Sequence, residues 1–254
     1  MVKYLLGSCF IILLLASCNK ENVGFANESI NDYYPLQVGN YITYDLDSTV
    51  VINFGQGSVA FAINHYQAKD VVDAPITDNL NRPGFRIIRY LRTDSSQPWT
   101  PNNVFMAIPT RNSIEYVEDN LRFLILMMPI KQDFSWPGHS YLPYNPYSSY
   151  NFANADFMSK WNYVYDSIDV PLTINSITID STLKVAEMDS QTSDPILQPG
   201  GYAERTYAVE KYGKGIGLIY KEFIHWEYQP FDSSAAPGYS GFGIKMSITG
   251  SGHN

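Results

Sequence analysis

Apolar and polar residues alternate along much of this chain, which is the period-2 pattern of strands with one buried and one solvated face. In residues 242–249, for example, Phe242, Ile244 and Met246 all fall on one face of an extended chain. The same analysis predicts strands at residues 41–54, 59–72, 84–92, 104–108, 113–117, 121–128, 161–168, 177–186, 204–212, 216–228 and 242–249.

Residues 121–128 differ from the other predicted strands because they form a nearly continuous apolar run that Pro129 closes. A run of this kind is typical of a strand covered on both faces, and we expect it at the centre of the core. Only residues 154–160 favour a short helix. Turn residues separate the strands at 81–84, 198–201 and 236–238.

Strands at hairpin spacing without helical crossovers predict an all-β fold. We expect an antiparallel sheet curled into a half-barrel, a barrel or a sandwich, with a long aromatic-rich loop and at most a short helix. The domain prediction is a leader at residues 1–17, a flexible tether at 18–31 and a single β domain at 32–254.

Composition agrees with this fold class, since aromatic residues make up 15% of the chain and include 20 tyrosines. Aromatic residues fit the pleated, half-buried surface of a sheet. The formal net charge is −8. An acidic surface repels phosphate backbones, so we expect no nucleic-acid partner.

The first residues indicate export and lipidation. An apolar run from 4 to 16 follows Lys3 and is too short to span a bilayer. It ends in Leu15-Ala16-Ser17-Cys18, which resembles the bacterial lipobox. The resemblance implies that Cys18 becomes the first mature residue, carries a diacylglycerol and an acylated amine, and anchors the protein to a membrane. The alternative is an ordinary secretory leader with an incidental cysteine.

Asn19 is not the aspartate that resembles an inner-membrane retention signal, which favours the outer membrane as the destination. Cys9 lies inside the leader, and no cysteine follows Cys18. We therefore expect no disulfide in the exported chain, so that its stability depends on a packed core.

Three further segments resemble a large group of uncharacterised Bacteroidetes cell-envelope lipoproteins. They are residues 34–44 (YPLQVGNYITY), residues 128–132 with 135–138 (MPIKQ and SWPG), and residues 212–221 (YGKGIGLIYK). The third segment also resembles, more faintly, the half-barrel domains of lipoprotein carriers, which hold acyl chains in a concave sheet. The tyrosine-rich middle of this chain departs from that comparison.

Catalytic chemistry leaves no recognisable pattern in the sequence. The histidines, His65, His139, His225 and His253, are scattered, and no metal-ligand spacing, nucleophile elbow, P-loop or dinucleotide fingerprint occurs. His225, beside Trp226 in a predicted strand, is a site candidate or simply a packed strand histidine. We expect no catalytic residues, no cofactor and no metal site.

Residues 134–165 have an unusual composition, because eleven aromatic rings are interleaved with proline, serine and asparagine. Exposed rings with polar edges suit stacking on sugars or seating in a partner protein. Trp136, Tyr141, Tyr144 and Tyr147 are the predicted contacts. Alternatively, the loop folds over the sheet and buries its rings as a secondary core.

Together these observations predict a monomeric or partner-bound outer-membrane lipoprotein, anchored through Cys18, that binds a glycan or an envelope protein and is not an enzyme. Two alternatives belong to other classes. One is a half-barrel that handles lipid or acyl chains, which a concave apolar cavity would favour. The other is a hydrolase with an unrecognised site, which carboxylates and a histidine clustered in a cleft would favour.

Overall fold

The computed structural model describes residues 29–53, 59–150, 152, 158–193, 201–230 and 238–254. The predicted leader, Cys18 and most of the predicted helix at 154–160 lie outside these residues. A short helix, α1 (Ile30–Tyr33), precedes twelve strands. In chain order the strands are β1 (Asn40–Asn53), β2 (Val59–Thr77), β3 (Pro83–Arg92), β4 (Thr100–Pro109), β5 (Ser113–Glu118), β6 (Leu121–Met127), β7 (Ser135–Trp136), β8 (Tyr163–Ile174), β9 (Ile177–Thr192), β10 (Ala203–Gly213), β11 (Gly217–Gln229) and β12 (Gly238–His253).

All twelve strands belong to one antiparallel sheet in the order β6-β5-β4-β3-β2-β1-β12-β11-β10-β9-β8-β7. The two halves of the chain are consecutive hairpins, and they meet where β1 pairs with β12, with Asn40 opposite His253. This joins the ends of the domain in the middle of the sheet and leaves β6 and β7 as its edges. The predicted all-β antiparallel fold is confirmed, and its form is a nearly closed barrel.

The edge strands approach each other because the chain after β7 lies against β6. The Leu124 N–H donates to the Gly138 carbonyl at 2.8 Å, and the Trp136 indole N–H donates to the Leu124 carbonyl at 2.8 Å. The Tyr165 hydroxyl donates to the Met127 carbonyl at 2.7 Å. These bonds satisfy edge groups that would otherwise be free to pair with another chain.

A close approach at Gly138 makes this seam possible. A Cβ atom at this position would lie 2.5 Å from the Tyr163 ring, so only glycine fits between the segment and β8. The residues of the seam belong to the largest core cluster, where Leu126, Trp161 and Tyr165 are fully buried.

Residues 121–128 correspond to β6, and three of them belong to the largest core cluster, in agreement with their predicted place in the core. Leu124, Ile125 and Leu126 are buried in succession, as expected of a strand covered on both faces. However, β6 is an edge strand of the sheet, and the second cover comes from the segment that follows β7. The apolar pattern of a strand indicates whether one or both of its faces are buried. It does not indicate where in the sheet the strand lies.

Helix α1 packs against the sheet and overlaps the end of the predicted tether. Ser29 caps the helix by accepting a hydrogen bond from the Asn31 N–H, and Asp32 completes a capping box. Ile30 and Tyr33 are 3% and 0% exposed. A four-residue helix is marginal alone, so its burial against the sheet maintains it.

Candidate functional site

The barrel contains a cavity of about 480 Å³ that strands of both halves and the loop after β7 enclose. Val50 of β1, Phe123 of β6 and Phe242 of β12 contribute apolar surface to its wall. The volume lies in the range of small-molecule sites, about 300–1,000 Å³. The interior of the barrel is therefore the candidate site.

A charged cluster lies in the wall of this cavity. The Lys221 ammonium is 3.1 Å from a Glu210 carboxylate oxygen and 4.0 Å from one of Glu118. The Tyr212 hydroxyl donates to Glu210. The Lys221 and Glu210 side chains are only 25% and 6% exposed. Their close pairing offsets the cost of burying the charges, and removing either partner would leave the other uncompensated.

Arg89 places a second cation in the wall and is also paired. Its guanidinium donates to both carboxylate oxygens of Asp70, each at 2.7 Å, and lies 4.8 Å from the centre of the Phe105 ring. Arg89 as a whole is 7% exposed. A bidentate, buried pair of this kind orients the guanidinium rigidly.

Glu187 is a buried carboxyl group in the cavity wall with a raised pKa. It is 8% exposed and shares a hydrogen bond with the Tyr163 hydroxyl. Burial raises the pKa of Glu187 well above its ordinary value of 4.5, and the Glu210 charge raises it further, against the opposing effect of Lys221. Glu187 therefore keeps its proton to a higher pH in the folded protein than in the unfolded chain.

The Glu187→Gln variant should be less sensitive to pH than the wild type. Because the folded-state pKa of Glu187 is raised, its proton contributes stability that is complete below pH 4.5 and is lost as pH rises through the folded-state pKa. The wild type should lose up to about 1.4 kcal/mol per pH unit from this group, and the variant none. Urea unfolding from pH 5 to 8 measures the difference, and parallel pH profiles would contradict the raised pKa.

The four predicted contact residues are distributed between the core, the cavity and the surface. Trp136 is 2% exposed and lies 4.6 Å from Tyr165 between ring centres, so its burial departs from the predicted surface contact. Tyr147 lines the cavity. Tyr141 and Tyr144 are 55% and 76% exposed, as a surface contact requires. The loop therefore contains both exposed rings, as a contact surface requires, and rings packed against the protein, as a secondary core requires.

Tyr147 and Tyr150 form the part of the loop that closes over the cavity. The Tyr147 ring meets Phe242 edge-on at 5.2 Å, and the Tyr150 ring lies 4.8 Å from the same residue. Phe223 stacks on Phe242 at 5.1 Å. Aromatic faces from the loop and from two strands thus meet at one side of the cavity.

His225 belongs to a second buried polar group that does not line the cavity. Its Nδ1 atom lies 2.8 Å from the Thr206 hydroxyl, which donates to Glu204 at 3.0 Å. Its Nε2 atom lies 3.6 Å from a Glu227 oxygen, and the Phe152 ring covers the imidazole. His225 is 1% exposed, which agrees with the interpretation of a packed strand histidine.

His139 does line the cavity. Its ring stacks on Trp161 at 4.7 Å and its Nδ1 donates to the Met158 carbonyl at 2.7 Å. Burial lowers the pKa of His139 to about 4, so the imidazole is neutral at physiological pH. Across the described ranges, no three His, Cys, Asp or Glu side chains are arranged to hold a metal ion.

The polar residues of the cavity, Glu187, Glu210 and Lys221, are absent from the sequence prediction. A usable signal existed, because Leu183, Val185 and Glu187 alternate on one face of β9 and are all buried. An acidic residue that continues an apolar face indicates either a strand end or an internal polar site. The alternation alone does not separate these two cases.

Comparisons with known proteins give no family assignment. No protein-family model matches the chain. No curated protein matches it either. Among the helices that the structure describes, none has the length and apolar character needed to cross a membrane.

Two solved structures resemble the fold. A structure of lipovitellin, described in terms of lipid–protein interactions, aligns with 86% of this chain at 12% identity and a TM-score of 0.38, and this chain spans 26% of its length. A protein from Bacteroides fragilis, described as exported and as having a YmcC-like fold, aligns with 84% of this chain at 10% identity and a TM-score of 0.33, over 97% of its own length.

Proposed function

We propose that this protein is a lipid-anchored, non-catalytic binding protein of the bacterial outer membrane that holds a small ligand inside its barrel. The cavity is the observation that carries the proposal, because about 480 Å³ of space combines aromatic walls with a few oriented polar groups. The anchor is supported by the lipobox-like motif that ends at Cys18.

The aromatic loop has two roles in this proposal. Tyr147 and Tyr150 form part of the wall that surrounds the ligand. Tyr141 and Tyr144 stay on the surface, where they are suited to contact an envelope protein or a glycan. The main binding site in this proposal is therefore the cavity, and not the exposed aromatic rings of the sequence prediction.

Acyl-chain binding is the second candidate, and the apolar part of the wall favours it. Val50, Phe242 and Ile244 are neighbours on paired strands and offer a continuous apolar surface. Against this candidate, Glu187, Glu210 and Lys221 belong to the same wall, and an alkyl chain would displace water from these polar groups without forming hydrogen bonds to them.

Filling the cavity should abolish binding. Val50→Trp places a large ring into the cavity, while Thr49→Trp adds the same ring on the other face of β1. With the chain from Asn19 onward, which retains every described residue, we expect Nile red to bind the wild type and Thr49→Trp equally, and Val50→Trp roughly tenfold more weakly or not at all. Fluorescence titration measures the three affinities, and circular dichroism confirms that the variants fold.

Equal dye binding by all three proteins would place the site outside the barrel and contradict the proposal. Displacement of the dye by laurate from the wild type, but no laurate binding to Val50→Trp, would select the acyl-chain candidate.

A further inference from the structure

Two tyrosine hydroxyls in the cavity wall have no partner in the protein. Tyr34 follows α1, Tyr116 lies on β5, and both line the cavity. Within the described ranges neither hydroxyl has a hydrogen-bond partner, and burial, with nearby negative charges, raises the pKa of both. In the described part of the chain, the fully buried side-chain polar atoms without a partner are the Trp161 and His225 ring nitrogens, so the two tyrosine hydroxyls are not completely buried. Both hydroxyls are therefore open to a ligand.

Both cations in the cavity wall are already paired with carboxylates of the protein. Arg89 is held by Asp70 at 2.7 Å, and Lys221 by Glu210 at 3.1 Å. Burial and the Glu210 charge raise the pKa of Glu187 well above its ordinary value. Glu118, Asp119 and Glu222 line the same cavity, so its wall is acidic. Such a wall repels anions and offers carboxylate oxygens that accept hydrogen bonds from the hydroxyls of a ligand.

Flat apolar faces adjoin these polar groups. Phe223 and Phe242 stack with an interplanar angle of 19°, and Tyr147 meets Phe242 edge-on. A sugar ring offers the matching surfaces, since its C–H groups form a flat apolar face and its hydroxyls form a polar edge. An alkyl chain offers only an apolar surface, and its binding would leave the hydroxyls of the two tyrosines unpaired.

We infer that the cavity accepts an uncharged, hydroxyl-rich ring, the end of a neutral saccharide, and that the hydroxyls of Tyr34 and Tyr116 orient it. This inference rests on the proposed function, because it identifies the ligand class of the same cavity. Replacing each tyrosine by phenylalanine removes only the hydroxyl group and leaves the ring in place. The substitution therefore tests the contribution of the hydroxyl to binding without disturbing the fold.

The test uses an array of neutral di- to tetrasaccharides of glucose, galactose, mannose and N-acetylglucosamine, with the chain from Asn19 onward. Calorimetry then measures the affinity of the strongest array hit. Tyr34→Phe and Tyr116→Phe should each weaken binding by about tenfold, and the double variant by more, because each removes one hydrogen bond in a desolvated site. Tyr90→Phe, on β3 and outside the cavity wall, should bind as the wild type does.

Two results would overturn the saccharide inference while leaving the cavity function intact. One is an array without hits together with laurate binding that Val50→Trp abolishes. The other is a saccharide whose affinity is lost in Val50→Trp and unchanged in the double tyrosine variant. A ligand that binds equally to the wild type and Val50→Trp would instead overturn the proposed function itself.

Discussion

Replacing Trp136 by alanine is expected to lower the free energy of unfolding by about 4 kcal/mol. The side chain is 2% exposed, packs against Tyr165, and donates its indole N–H to the Leu124 carbonyl. The substitution leaves a cavity and removes a hydrogen bond that joins β6 to β7. Urea unfolding at pH 7, followed by circular dichroism, measures the loss.

Two control variants separate packing from other effects. Trp136→Phe keeps an aromatic ring and loses the N–H donor, so it should be less destabilising than alanine. Trp99→Ala removes a partly exposed indole that lies 4.2 Å from Arg92, and should cost less than about 1 kcal/mol. A loss as small as this in Trp136→Ala would show that the indole does not support the barrel seam, and would restore its predicted role as a surface contact.

Removing Cys18 is expected to release the protein from the membrane completely. Each buried CH₂ of an acyl chain contributes about 0.8 kcal/mol to membrane binding. The acyl chains attached through Cys18 are the whole of the proposed anchor. The variant carries Cys18→Ala behind an ordinary cleavable secretory leader in place of residues 1–17, so that no uncleaved apolar leader retains it. Fractionation of cells into membrane and soluble periplasmic material measures the release.

Cys9→Ala in the native leader is the matched control, because this cysteine lies inside the segment that is removed. It should remain in the membrane fraction, and mass spectrometry of its mature form should find acyl groups on Cys18. A mature wild-type protein with a free thiol at Cys18 would contradict the anchor, as would membrane retention of the Cys18→Ala protein.

Most of the strands could be predicted from local alternation, since eleven predicted segments coincide with β1–β6 and β8–β12. The errors lie where tertiary pairing extends a strand beyond its pattern. The prediction ends the second strand at Val72, whereas β2 continues through Pro75 after a register shift between Val72 and Ala74. A strand irregularity of this kind accommodates a proline that a regular ladder would exclude.

The two-residue strand β7 could not be predicted from alternation. Two residues carry no measurable period, and β7 exists because Ser135 and Trp136 pair with Val164 and Tyr163. The same pairing carries Trp136 into the core. Its burial therefore depends on a contact between segments that composition could not connect.

The glycine directly before the first strand meets a local requirement. Gly39 has a φ of +95°, a backbone conformation that glycine adopts at little cost. The requirement is local, and the residue type alone reveals it. Gly138 is the opposite case, since its necessity comes from the Tyr163 ring across the seam.

The sequence by itself determined the strand content, the absence of helical crossovers and the lipobox-like motif at Cys18, because each depends on neighbouring residues or a short periodic pattern. Only the tertiary structure decided that the sheet closes into a barrel, that Tyr147 faces inward while Tyr144 faces solvent, and that Glu187, Glu210 and Lys221 share one cavity. The physical reason is that strand curvature and the closing seam bring together residues from distant strands, whereas alternation specifies only which face of its own strand each residue occupies.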